Sequence, residues 1–146
     1  NYRMTDLQGS VGLVQLQKLD DFISFREHWA DFYINNLNSI PWLKLPSFAT
    51  NNGRHSWQAF VTYINPDISP FSRNHLMKCL QERGISTRPG THAIHQLGFY
   101  SNEYNLSPSD FISSFKCNEN TMAIPLHNKM SPDDFFYIVE TLLSFG

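Results

Sequence analysis

The chain has 146 residues, 41% of them hydrophobic and 14% aromatic, enough apolar side chain for one domain-sized core and too much for a disordered segment. A formal net charge of -2 removes any electrostatic reason to expect a nucleic-acid partner. No apolar run approaches the ~20 residues of a membrane span, and the opening is not a signal peptide, so neither a membrane partner nor a secreted location is expected.

Thr5-Asp6-Leu7-Gln8 has the form of a capping box, a Thr hydroxyl for the early amides and a Gln three residues on. It predicts a long helix reaching about Tyr33. On a helical wheel Leu7, Val11, Val14, Phe22, Phe25, Trp29 and Phe32 share one face, and Leu16, Leu19 and Ile23 a second. A helix apolar on two sides has to be covered from two directions, in a core or between one domain and another. Asp20-Asp21 reads as a solvated mid-helix pair. From Ile34 to Gly53 the prolines, the Asn pairs and Gly53 predict an irregular crossing.

Ser56 to Ile64 predicts a strand, with Trp57, Ala59, Val61 and Tyr63 alternating to one side. Asn65-Pro66-Asp67 closes it with turn chemistry. A helix from about Ser72 turns Leu76, Met77 and Leu80 inward and stops at Gly84, suited to a left-handed cap. Ile85 to Arg88 predicts a short strand cut off by Pro89-Gly90. Ser107-Pro108 opens a helix through about Cys117, and Met122 to Leu126 forms a short strand. Ser131-Pro132-Asp133-Asp134 starts the last helix, lined by Phe135, Ile138, Val139 and Leu142. The order suits one α+β domain, a small sheet covered by helices with a long helix leading in.

The densest polar cluster is Ser86-Thr87-Arg88-Pro89-Gly90-Thr91-His92-Ala93-Ile94-His95-Gln96, at a strand end where a rigid scaffold holds an exposed loop. Arg88 has the planar fork that grips a phosphate or carboxylate. His92 and His95 can bond an anionic ligand or move protons near neutral pH, or simply be solvated. Their HxxH spacing has no acidic or thiolate neighbour, so no metal site is expected. Cys79 and Cys117 stand apart on predicted helices and read as free thiols of a cytosolic protein. Trp29, Trp42 and Trp57 read as core or interface anchors. No phosphate-binding glycine loop, nucleophile elbow or HExxH occurs. The residues by themselves support an α+β domain with one anion-handling loop.

Three stretches together resemble one family. Asn1-Tyr2-Arg3-Met4-Thr5-Asp6-Leu7-Gln8, running on from Gly12 to Asp20, resembles the helix after the cofactor domain of the DegT/StrS aminotransferases. Gly84 to His95 resembles their substrate-end loop, in the variant of the perosamine-synthase-like subgroup. Ile124-Pro125-Leu126-His127 with Met130-Ser131 resembles the last strand and turn. Gly9-Ser10 stands where many relatives have two alanines, a departure costing about 1 kcal/mol of helix propensity at the glycine.

The resemblance implies the small C-terminal domain of a fold-type-I enzyme, with residues 1–33 the interdomain helix and the larger cofactor domain ahead of Asn1. It implies pyridoxal 5'-phosphate as cofactor, glutamate as amino donor, a nucleotide-linked keto sugar as acceptor and a cytoplasmic homodimer serving cell-surface polysaccharide or cell-wall synthesis. The Schiff-base lysine belongs to the larger domain, and Lys18, Lys44, Lys78, Lys116 and Lys129 match nothing like it, so no catalytic residue is assigned and the chain alone is expected to be inactive. Asn1 matches the asparagine that crosses the dimer to the partner's cofactor phosphate, and Arg3 its neighbour at that interface. His95 matches the substrate-side histidine; Arg88 and His92 belong to the subgroup's form of that loop. The competing reading is a non-catalytic binding or dimerisation module. A hydrolase built on His95 with Cys117 or Ser113 lacks any motif.

Overall fold

A computed structural model describes residues 2–47 and 53–146. Helices α1 (Asp6–Leu16) and α2 (Leu19–Leu37) lead into a two-residue strand β1 (Leu43–Lys44). Then come β2 (Phe60–Ile64), α3 (Arg73–Glu82), β3 (Arg88–Pro89), α4 (Gly98–Glu103), α5 (Ile112–Asn120), β4 (Thr121–Ile124) and α6 (Pro132–Leu143). The four strands form one antiparallel sheet in the order β1-β2-β4-β3. The α+β class follows as expected.

One sheet face carries the core. Phe60, Ile64, Met122 and Ile124 point into it and meet α2, α3 and α6 through Trp29, Tyr33, Leu37, Leu76, Leu80, Phe135 and Leu142. Trp29 stacks flat on Phe135, centroids 4.1 Å apart and planes within 3°, fixing α2 against α6. The Tyr33 phenol donates to the Pro125 carbonyl at 2.9 Å. Its burial, and secondarily the negative charge of Asp134, push its pKa far above the usual phenol range.

The long first helix is broken. A turn at Gln17-Lys18 separates α1 from α2, with Lys18 N–H bonded back to the Gln15 carbonyl at 3.1 Å. Helix α1 buries no residue, and Asp20 and Asp21 become first-turn acids favouring a new helix start rather than a mid-helix pair. The two apolar faces part accordingly. Phe25, Trp29 and Phe32 join the core, whereas Leu7, Val11, Val14, Leu16 and Leu19 are exposed.

Strand β2 corrects the second expectation. Trp57 adopts a left-handed φ of 49°, so the chain turns there and the extended stretch begins only at Phe60. The core face is Phe60, Thr62 and Ile64, the opposite parity from the one the sequence suggested. Thr62 sits in the core because its hydroxyl donates to the Met122 carbonyl at 3.0 Å. Trp57 is fully buried all the same, delivered by the turn rather than by the strand.

Helix ends follow their signals. Ser72 and Ser131 cap α3 and α6, and Gly84 takes φ 77° beyond α3. Ser107 and Asp110 form a capping box on a 3₁₀ turn, Pro108–Phe111, that precedes α5. A second 3₁₀ turn, Ile94–Gln96, and α4 occupy a stretch with no expected element.

Candidate functional site

The loop from Arg88 to Gln96 leaves β3 and crosses to α4. Its base is fixed by pairing of Arg88 with Ala123 and by the Gly90 amide, which donates to the Thr121 carbonyl at 3.0 Å. Only glycine fits there: a β-carbon on residue 90 would stand 2.5 Å from Val61 Cγ1 and 2.6 Å from Thr121 Oγ1. The far end is held by Asn118 of α5. Its side-chain oxygen accepts the Ala93 amide at 3.0 Å, and its nitrogen donates to Gln96 Oε1 at 2.9 Å. The loop is therefore clamped at both ends by the β4–α5 corner.

Between the clamps the two histidines line one cavity of about 310 Å³, with Ile94, Tyr100, Leu106, Phe111 and Ser114. His95 is 6% exposed, and its ring lies 5.1 Å from that of Phe111. Its Nε2 is buried without a hydrogen-bond partner. An unsatisfied buried imidazole nitrogen costs about 1–3 kcal/mol. His92 is exposed at the rim. Arg88 is exposed on β3 and does not line the cavity, lying instead across β4 from Val61 on the side of the sheet away from the core.

The structure thus brings His92 and His95 together and leaves Arg88 apart. Arg3 is exposed just ahead of α1, and Asn1 lies outside the described residues. The Thr5–Gln8 capping box forms as expected, so α1 caps itself: Thr5 Oγ1 already accepts the Gln8 amide at 3.3 Å. No lysine lines the histidine cavity. Among the described residues no three His, Cys, Asp or Glu side chains gather as metal ligands, and no helix is long and apolar enough to cross a membrane. Cys79 and Cys117 are free thiols.

Sequence reasoning missed Tyr100, Leu106, Phe111, Ser114 and Asn118. The available signal was the run of aromatics from Phe99 through Tyr104 to Phe111, too many for a loop that touches nothing.

The cavity combines aromatic walls with a few polar atoms, the arrangement that binds a ring-bearing polar ligand. The comparisons agree on where such a domain occurs. The chain is 30% identical over 140 residues to the spore coat polysaccharide biosynthesis protein SpsC of Bacillus subtilis, covering 95% of this chain and 36% of that protein. It is 29% identical to the GDP-perosamine synthase of Escherichia coli O157:H7, covering 99% of this chain and 37% of that one. The chain therefore spans little more than a third of the length of these relatives. In structure it superposes with a TM-score of 0.86 on a Streptococcus pneumoniae protein described as a sugar aminotransferase, solved in a PLP form, at 24% identity and covering 98% of this chain and 36% of that one. Helicobacter pylori PseC, an aminotransferase of pseudoaminic acid biosynthesis, gives 0.85 at 20% identity, covering 99% and 38%. Residues 1–143 match the DegT/DnrJ/EryC1/StrS aminotransferase family, and the chain belongs to that family.

Proposed function

We propose that this chain is the small C-terminal domain of a pyridoxal-phosphate aminotransferase that moves an amino group from glutamate to a nucleotide-linked keto sugar for cell-surface polysaccharide or cell-wall synthesis in the cytoplasm. The observation that carries the reading is the His95 cavity, an aromatic-walled recess lined by both loop histidines, on the loop that resembles the family's substrate end. His95 bonds the sugar-nucleotide, His92 reaches it from the rim, and Arg88 contributes charge from the neighbouring strand rather than from the cavity wall.

The cofactor belongs mainly to the preceding domain, with residues 1–33 as the connection. When bound, pyridoxal phosphate supplies the electron sink for the deprotonated carbon. What this chain offers it is Asn1 and Arg3, an amide and a guanidinium, a donor set that fits a phosphate dianion. On this reading those two side chains make the contact, across the homodimer to the partner's phosphate. On this reading none of the five lysines forms the Schiff base, and the chain taken alone is inactive. The second reading, a binding or dimerisation module without chemistry, draws on the uncovered apolar residues of α1.

The test is steady-state and half-reaction kinetics of the full-length enzyme with His95→Phe, which keeps a planar ring and removes both nitrogens. Loss of a hydrogen bond to a charged or polar substrate group is expected to raise KM for the sugar-nucleotide by roughly tenfold. The glutamate half-reaction should stay unchanged. An unsubstituted enzyme that aminates no nucleotide-linked keto sugar would sink the reading.

A further inference from the structure

Arg73 opens α3, is 7% exposed, and has no carboxylate at ion-pair distance among the described residues. A buried guanidinium is tolerated only if its donors are well used. Two of them are. Nε donates to Asn74 Oδ1 at 2.7 Å, and Nη1 donates to the Thr121 carbonyl at 3.0 Å.

That carbonyl is the one that accepts the Gly90 amide, also at 3.0 Å. One oxygen, with its two lone pairs, thus joins a buried cation on α3 to the first amide of the histidine loop. Thr121 is held from a third side, where its hydroxyl donates to the Cys117 carbonyl at 2.6 Å, and it abuts Gly90 too closely for any side chain there. A charged donor on one lone pair fixes the plane of the peptide and so aims the other lone pair at the Gly90 amide.

We infer that Arg73, through the Thr121 carbonyl, is the positioning residue that sets the Gly90 end of the histidine loop and thereby the pose of His92 and His95. It touches neither substrate nor cofactor. Without its donor the Thr121 peptide tilts more readily, the Gly90 bond loosens, and the base of the loop is left to the Arg88–Ala123 pairing while the far end keeps its Asn118 clamp. The consequence for binding rests on the substrate reading of the cavity; the coupling between Arg73 and Gly90 does not.

The experiment uses the full-length enzyme with Arg73→Met, which keeps an unbranched stem and removes every donor, and Arg73→Lys, which keeps one charged donor. Amide exchange at Gly90 is expected to accelerate about tenfold in the Met variant, while Ala93 on the Asn118 clamp, α2 and α6 hold within about twofold. KM for the sugar-nucleotide should rise about tenfold with the glutamate half-reaction unchanged, and the Lys variant should recover most of both effects. Unchanged exchange at Gly90, or acceleration spread equally over α2 and α6, overturns the inference. A Gly90 response in an enzyme that aminates no nucleotide-linked sugar upholds the coupling and overturns the substrate reading instead.

Discussion

Gly90 is the position where backbone geometry and site geometry coincide. Its missing β-carbon is the space occupied by Val61 Cγ1 and the Thr121 side chain, so Gly90→Ala forces three groups apart at the root of the loop. Overpacking of this kind costs typically 1–3 kcal/mol. We expect the unfolding free energy from urea titration to fall by that amount, with a lower midpoint, and part of the loss to be recovered in a Val61→Ala background, where the nearer contact is gone. Equal midpoints for Gly90→Ala and the parent chain would mean the loop moves aside freely. Residues of this sort were half legible. Pro89-Gly90 announced a turn, and His92 and His95 were visible because they crowd one loop. Phe111 and Asn118, which make that loop a cavity, lie about twenty residues on, and no local pattern ties a phenylalanine in a 3₁₀ turn to a histidine in another.

Helix termini were the most legible elements because their signals are local chemistry: a hydroxyl or a carboxylate within three residues of the amide it bonds. The α6 start shows what such a signal does. Asp134 accepts from Ser131 through the backbone amide at 2.8 Å and through the hydroxyl at 2.9 Å. These bonds, backbone first and side chain second, hold its carboxyl below the usual carboxylate range, with a smaller favourable effect of His127. A pKa lowered by folding means the unfolded chain takes up the proton first. The cap therefore stabilises the fold above the ordinary aspartate value near 3.8, and that stabilisation is lost as pH falls through the folded value. The melting temperature of the parent chain should exceed that of Asp134→Asn at neutral pH and converge with it in acid; a gap that is constant with pH would discount the carboxylate. Elements with non-local determinants were less legible. The face of β2 depends on the left-handed Trp57 and on a hydroxyl bond to another strand, and no local signal marks the break at Gln17-Lys18, beyond which α2 enters the core and α1 buries no residue.

At the scale of the molecule, the sheet and helices α2, α3 and α6 form a closed core, while α1 stands outside it. An 11-residue helix that buries nothing is marginal in water, and Leu7, Val11 and Val14 on it are 76%, 57% and 48% exposed. Apolar exposure on that scale marks a contact surface. It fits the connection proposed for residues 1–33, where α1 packs against the cofactor domain, and it gives the isolated chain a tendency to self-associate through the same residues. Sedimentation of the isolated chain should show weight-average mass rising with concentration, and Val11→Lys with Val14→Lys should abolish the rise. Because neither valine contributes to the core, the unfolding free energy of the doubly substituted chain should stay within about 0.5 kcal/mol of the parent. Separating the two readouts is what gives the test its force. Association lost with stability kept places the self-contact on α1, whereas a strictly monomeric parent chain at high concentration denies that the isolated chain associates through α1.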